Sequence, residues 1–354
     1  MKVIAITGSK GKTTILHVLN EVLMWLKNNV LTIGTERLKY NNVKVEEVDG
    51  KALVDTTKNP VDYIVIEAIS NQLKTTPIPC DIAVFTNIEK NEHGDIHETF
   101  QDYLNCKKRL FDEMKPDGIA IVNIDCEYTK EIIKDCKAKI ITYGKNWDYR
   151  PELNKMGTDW MSFFINGELF WTKLVWEYNM YNLTAAYLVL QECWIYLRDM
   201  REINPVPWRF ERFEIEWRTV ILDYAHTINS LEQTLQLIKE LYWREKIVTV
   251  FGCWGDRDKT KRKPMWEIAL HYSEKVYVTT DNPRWEEPED IIDDICWDND
   301  RFLIIEDREE AIHQAIKNNP DSVILIAGRG NEEVTYIKGK EYPMKDRDFI
   351  LNYK

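Results

Sequence analysis

Apolar residues recur along this chain in two alternating rhythms. Short runs such as Val3-Ile4-Ala5-Ile6 and Tyr63-Ile64-Val65-Ile66 predict buried strands at 3–7, 30–35, 62–69, 81–88, 118–124 and 139–143. Between them, apolar positions three and four apart (Ile15, Leu16, Val18, Leu19, Val22, Leu23) predict helices, over 13–27, 98–114 and 127–136. This alternation predicts an α/β fold with a mostly parallel sheet covered by helices. Residues 160–174 alternate at period two and predict a hairpin turning at Asn166-Gly167. A helix over 180–198 closes the first series, and Pro205 and Pro207 punctuate the chain. A second α/β series follows, with strands near 219–225, 246–252, 275–281, 302–306 and 322–327. At 354 residues the chain exceeds the usual single-domain size, so two domains are expected, 1–205 and 206–354.

Composition narrows the class. An apolar content of 44% is enough for real cores, and a net charge of -12 argues against a nucleic-acid surface. Seven scattered cysteines with no CxxC pair fit a reducing compartment better than a disulfide framework. No secretory signal pattern precedes the first strand and no apolar run reaches membrane-spanning length, so a cytoplasmic protein with no membrane partner is expected. Two residue types are out of proportion. Glycine is 14 of 354, about 4% where roughly 7% is usual, and tryptophan is 13.

The clearest chemistry lies in Thr7-Gly8-Ser9-Lys10-Gly11-Lys12-Thr13-Thr14, between the first strand and the first helix. Strand, glycine loop and helix form an arrangement that holds phosphate. Backbone N–H groups turn inward, the helix N-terminus adds positive potential, and Lys12 can reach a terminal phosphate. Gly8, Ser9, Lys10, Gly11, Lys12, Thr13 and Thr14 are therefore the expected ATP loop, with the Thr13 hydroxyl available to Mg²⁺. The two glycines are closer together than in the usual P-loop.

That loop resembles the nucleotide loop of the Mur ligases, ATP-dependent amide-forming enzymes of peptidoglycan assembly, which usually have asparagine where this chain has Lys10. Further segments resemble the same family in order and spacing. They include Leu31 to Thr35, Ile66 to Ser70, Phe85-Thr86-Asn87, Tyr103 to Phe111, Arg209-Phe210-Glu211, Asp223 to Thr227, Phe251 to Pro264 and Asp281-Asn282-Pro283-Arg284. The resemblance implies a P-loop-type ATPase domain followed by a Rossmann-like α/β domain. It also implies a carboxylate phosphorylated by ATP and then attacked by an amine, chemistry that calls for metal ions and fixed cations.

By position in that resemblance, Thr13, Glu67 and His93 are implied around Mg²⁺, with His93 preferred over His97. Lys107 is implied as a carbamylated lysine, an anionic group near a second Mg²⁺; Lys12, Lys107 and His93 are the catalytic candidates. Asn179 and Asn182 match an asparagine pair at the adenine pocket, with helix N-caps as the plainer alternative. Arg209 and Asp223 match residues reaching ATP from the second domain. Asp281, Asn282 and Arg284 resemble the signature of members that add meso-diaminopimelate, where a planar guanidinium clamps the distal carboxylate. Arg262, Gly328 and Glu332 match other amino-acid contacts. A surface salt bridge is the alternative for Arg284.

The family also carries an N-terminal domain for its UDP-sugar, whereas here the loop strand starts at residue 3. A carboxylate acceptor presented by a separate domain or protein is one expectation; a fragment, or an acceptor that is not a UDP-muramoyl peptide, are the others. The rival functions are a ligase extending a non-nucleotide carboxylate, as folylpolyglutamate and poly-γ-glutamate synthetases do, and a non-catalytic nucleotide-binding subunit. Finally, tryptophan stands where the family has glycine at Trp176, Trp208, Trp254 and Trp266, and at turn-like positions at Trp25, Trp194 and Trp217. Glycine and tryptophan together make 27 of 354, about 7.6%, near the usual glycine share. A gene whose UGA codons mean glycine is the expectation that follows.

Overall fold

The computed structural model describes residues 1–34, 37–41, 43–44, 60–90, 97–145, 148–197, 199–296 and 302–353. The chain forms two compact units, Met1–Asn204 and Pro205–Lys354.

The first unit runs β1 (Lys2–Thr7), α1 (Lys12–Trp25), β2 (Val30–Gly34), β3 (Arg37–Tyr40), β4 (Val43–Lys44), β5 (Tyr63–Glu67), α2 (Ser70–Thr75), β6 (Ile82–Phe85), α3 (Phe100–Asp112), β7 (Ile119–Asn123), α4 (Thr129–Ile132), β8 (Lys139–Tyr143), β9 (Pro151–Met156), β10 (Met161–Ile165), β11 (Glu168–Thr172) and α5 (Glu177–Glu192). Its main sheet has the order β4-β3-β2-β5-β1-β6-β7-β8, parallel from β2 to β8 with an antiparallel β3–β4 edge. Helix α1 covers one face through Ile15, Val18, Leu19, Val22 and Leu23, all essentially buried. Each such side chain contributes up to roughly 1.5–3 kcal/mol of burial. β1 lies between β5 and β6, so the chain leaves it towards β2 on one side and later returns on the other. Ligands of open α/β sheets gather beyond the carboxyl ends of strands at such a switch point. The loop after Thr7 sits there.

The second unit runs β12 (Glu211–Ile215), β13 (Arg218–Asp223), α6 (Ile228–Leu241), β14 (Lys246–Phe251), α7 (Arg262–Tyr272), β15 (Lys275–Val278), α8 (Pro288–Ile295), β16 (Phe302–Ile304), α9 (Arg308–Asn318), β17 (Ser322–Ala327), β18 (Val334–Ile337), β19 (Lys340–Pro343) and α10 (Asp346–Leu351). Its sheet order is β12-β13-β17-β14-β15-β16, parallel except for the β12 edge. β17 is buried along its whole length, as a central parallel strand must be. Arg308 and Asp346, both buried, tie α9 to α10. Nε reaches Oδ1 at 2.9 Å and one Nη reaches Oδ2 at 2.8 Å, while the same Nη donates to the Ala327 carbonyl.

The expected α/β class, mostly parallel, is the one observed. Several boundaries move. The helix expected over 127–136 is the single turn α4, because Cys136-Lys137 already turn towards β8. The helix expected at 180–198 runs over Glu177–Glu192, so Asn179 and Asn182 lie inside it and the N-cap position is Trp176. Trp25 is the last residue of α1, not a turn residue; Lys27 takes the positive φ there. The patterning also missed the third strand β9 beside the expected hairpin β10–β11, and the β18–β19 hairpin. Among the described residues no helix is long and apolar enough to cross a membrane.

Candidate active site

In the first unit the chemistry collects at the end of β1. The parallel register sets Ile6 beside Glu67 and Thr7 beside Phe85, which brings the ends of β5 and β6 against the loop. The loop is held from both sides: Ser9 N–H donates to the Asn87 carbonyl (2.8 Å), and Lys10 N–H donates to Asn87 Oδ1 (2.9 Å). The Thr86 hydroxyl donates to the Lys10 carbonyl at 2.6 Å, and the Lys10 ammonium pairs with Glu89 at 3.0 Å. Gly8 and Gly11 have φ of 146° and 87°, and a Cβ on either would overlap the Thr86 hydroxyl or the Asn182 amide. Both positions therefore need glycine on steric and conformational grounds. Gly11 is also the cap of α1, whose first turn carries no acid, so its free N–H groups and dipole face no competing carboxylate.

Two ammonium groups converge on one carbonyl. Lys12 Nζ donates to Gly8 O (3.0 Å) and Ser9 O (2.7 Å), and Lys107 Nζ donates to Gly8 O at 2.8 Å. Lys107 is 2% exposed on the inner face of α3, with its ammonium 4.5 Å from the centre of the Tyr103 ring. Tyr103 in turn shares a hydrogen bond with the Ser9 hydroxyl (2.9 Å). Glu67 is buried at the end of β5, close under Gly34. His97, the histidine not preferred from the sequence, shares a hydrogen bond with Ser70 Oγ (2.8 Å) and packs on Tyr103. His93 lies outside the described residues. Asn182 abuts Gly11 and donates to Asn179 Oδ1 (3.1 Å), while Asn179 donates to the Val175 carbonyl (2.7 Å). The structure thus brings Gly8 to Thr14, Glu67, Lys107, Asn179 and Asn182 to one end of one sheet. Thr86, Asn87 and Tyr103 are supports that motif reading quoted without giving them a role.

In the second unit the carboxyl ends of β13, β14, β15 and β17 carry the remaining candidates. Asp223 is buried, accepting from Phe210 N–H (2.7 Å) and Thr234 Oγ1 (3.3 Å); burial pushes its carboxyl up, opposed by the Arg209 charge. Arg209 stacks on Tyr224, its guanidinium carbon 4.8 Å from the ring centre. Burial lowers His226 to about 4, so its imidazole stays neutral, sharing a hydrogen bond with Tyr224 O through Nδ1 and stacking flat on Trp254.

Arg284 has a φ of 57°, pinned by two backbone hydrogen bonds to β18 and the turn after it: its N–H donates to Tyr336 O (2.7 Å) and its carbonyl accepts from Lys338 N–H (2.6 Å). Its guanidinium makes no ion pair with a described residue and lies over the Trp254 ring at 5.5 Å. A strained backbone holding a half-buried cation is a pattern of functional positions. Beside it Asn282 donates to Glu332 (3.1 Å). Burial raises Glu332, against that bond and the Arg329 and Arg284 charges.

Two candidates sit differently from their expected contact role. Arg262 is wholly buried, and its guanidinium is taken up by Glu286 (3.0 and 3.1 Å), Asp294 (2.7 Å) and the Trp254 carbonyl (3.1 Å). Its two Nη groups anchor Glu286 and Asp294. Asp281 is also buried and raised to about 7 by burial, with the Arg329 guanidinium 3.6 Å away. Arg329 donates to the carbonyls of Asp281, Val334 and Met344. It fastens the β18–β19 hairpin to the strand ends, and Gly328 precedes it at φ 115° with no room for a Cβ beside Asp281. Glu286 was not legible as a partner; two acids following Arg284-Trp285 were its only sign.

Comparison with known proteins gives the family. Residues 6–190 match the Mur ligase middle domain and residues 208–330 the Mur ligase glutamate ligase domain. The chain is 33% identical over 380 residues to the UDP-N-acetylmuramoyl-L-alanyl-D-glutamate–2,6-diaminopimelate ligase of Aquifex aeolicus, covering 99% of this chain and 77% of that one. It is 30% identical to the protein of the same name from Chlamydia trachomatis, with the same coverage. Among solved structures, a ligase of that name superposes with a TM-score of 0.68 at 28% identity, covering 99% of this chain and 77% of that one. A Mycobacterium tuberculosis folylpolyglutamate synthase shares the fold with a TM-score of 0.73 at 17% identity over 93% of this chain and 88% of its own.

Proposed function

The chain belongs to the Mur ligase family of ATP-dependent, ADP-forming ligases, and from that premise we propose that it joins a peptide carboxylate to the amine of meso-diaminopimelate in peptidoglycan synthesis. The observation that carries the choice of amine is Arg284. A cation without an ion-pair partner among the described residues, set by its backbone beside Asn282 and Glu332, suits an amino acid with a second carboxylate. A lysine substrate would bring a second ammonium to that guanidinium.

In the first unit the residues suit a nucleotide triphosphate. Backbone N–H groups of Gly11 to Thr14 at the α1 terminus would bind the phosphates, and Lys12, now folded onto the loop carbonyls, would swing outward. Asn179 and Asn182 offer both donor and acceptor to an adenine edge. The hard oxygens of Thr13 and Glu67 suit Mg²⁺, which supplies charge neutralisation of the phosphate oxygens when bound. Among the described residues no group of three His, Cys, Asp or Glu side chains gathers. Conversion of Lys107 to its carbamate would add an anionic oxygen donor to that set.

The ligase is to be assayed by ATP-dependent phosphate release. UDP-muramoyl dipeptide and non-nucleotide γ-glutamyl acceptors would each be paired with meso-diaminopimelate, lysine or glutamate. Release only with the muramoyl acceptor and meso-diaminopimelate is expected. Release with glutamate and a non-nucleotide acceptor would move the protein to the folate-type reading, and no release with any pair would make it a binding subunit.

A further inference from the structure

Four tryptophans hold backbone conformations that serve glycine. Trp176, Trp194, Trp208 and Trp217 have φ of 95°, 62°, 52° and 70°. They are four of the eleven described tryptophans, whereas all other non-glycine residues described supply only eight positive values. Three of those eight are Asn41, Asn166 and Asp256, the types that tolerate the left-handed region. For an indole-bearing residue the same region is a strained outlier.

Three of the sites have a recognisable glycine job. Trp194 ends α5: its N–H donates to Gln191 O (2.9 Å) and Ile195 N–H donates to Leu190 O (2.9 Å). Those two bonds define the helix stop whose left-handed residue is usually glycine. Trp217 is the second residue of the turn joining β12 to β13, where Ile215 pairs with Arg218. Both central residues have positive φ, 45° at Glu216 and 70° at Trp217. Among turns whose two central residues are both described, two more are of this kind, and both place glycine at that second position: Asn166-Gly167 (51°, 84°) and Lys338-Gly339 (48°, 77°). Trp176 departs furthest. Its φ of 95° with ψ of 145° lies outside the left-handed helical region, in space that glycine alone visits routinely.

At two of the sites the indole does not repay the strain by packing, whereas Trp208 packs against the core of the second unit and Trp176 meets the Tyr178 ring at 4.7 Å. Trp217 is 100% exposed and Trp194 is 82% exposed. The glycine shortfall and tryptophan excess noted above have the same direction, and UGA differs from the glycine codon GGA by one base. We propose that the cell that owns this gene decodes UGA as glycine, and that residues 176, 194, 208 and 217 are glycine in the working protein. Reading those codons as tryptophan places an indole where the fold needs no side chain at all. The other expected positions give no such backbone sign: Trp266 is buried within α7 against Phe302, and Trp254 lacks a positive φ.

The gene and the protein test this separately. UGA at all four codons, with glycine at those positions in peptides from the native cells, is the expected result; UGG at any of the four overturns it. In parallel, three full-length proteins are compared by thermal unfolding: tryptophan at the four positions, W176G/W194G/W208G/W217G, and W176A/W194A/W208A/W217A. The alanine variant removes the indoles but keeps a Cβ, so it isolates the backbone requirement. The glycine variant should melt several degrees above both others. A glycine variant melting no higher than the alanine one would show that the backbone never required glycine, and the proposal would fall.

Discussion

Replacing Glu286 by glutamine tests whether Arg262 is a support or a ligand contact. Arg262 has no exposed surface and Glu286 is 15% exposed, so the pair is largely out of water. The hydrogen bonds from Arg262 hold the Glu286 carboxyl down from 4.5 to about 2, with Lys259 and the Asp256 N–H helping. A shift of that size corresponds to about 3 kcal/mol of stability at neutral pH. Arg262 keeps Asp294 and the Trp254 carbonyl when Glu286 is neutralised, so about 3 kcal/mol is the upper figure for the substitution. The sign follows from the lowered pKa. The contribution is complete above the unfolded value near 4.5 and disappears as the pH falls towards 2. Glu286→Gln should therefore cost the second unit up to about 3 kcal/mol at pH 7 and progressively less below pH 4.5. Urea unfolding followed by circular dichroism, repeated from pH 7 to pH 3, reads both features. A variant within about 0.5 kcal/mol of the parent at pH 7, a change typical of neutral surface positions, would refute the structural role and return Arg262 to the ligand site.

Other substitutions probe the chemistry. Lys12→Ala and Glu67→Ala should each lower phosphate release by about 10²–10³-fold while leaving the melting temperature near that of the parent; near-normal release in either would dismiss the ATP-site assignment. Lys107→Ala should be inactive and regain part of its rate when short carboxylates are added, since they can fill the place of a carbamate; full activity without rescue would eliminate that role. Arg284→Ala should weaken meso-diaminopimelate by roughly 1.5–3 kcal/mol and leave lysine almost unaffected, measured as kcat/KM for each amine. Equal losses for the two would remove the clamp.

The α/β class was legible because parallel strands buried on both faces are continuous apolar runs, and β17 or β6 could hardly be read otherwise. The loop Gly8 to Thr14 was legible for a different reason: its chemistry is carried by residues next to one another in sequence. What patterning missed lies where the fold joins distant segments. β12 is a half-exposed antiparallel edge, and the β18–β19 hairpin is too polar to look like a strand pair. The burial of Arg262, Asp281 and Arg329 was equally invisible, because charged residues are expected outside unless paired, and their partners come from other loops. Motif position placed Arg262 and Arg284 on the same footing. Only the contacts separate a guanidinium held by two carboxylates from one that pairs with none among the described residues.

The Arg308–Asp346 clasp has a consequence for the life of the protein in a cell. α10 sets Ile350 and Phe349 against the core, and its first residue neutralises a buried arginine. A product that stops short of residue 346, through a premature termination codon or a proteolytic nick, would leave that guanidinium stranded. Such a species would unfold readily and be cleared by quality-control proteases instead of persisting as a slightly shortened enzyme. The helix α10 therefore acts as a seal of integrity, and an affinity tag never belongs in its place.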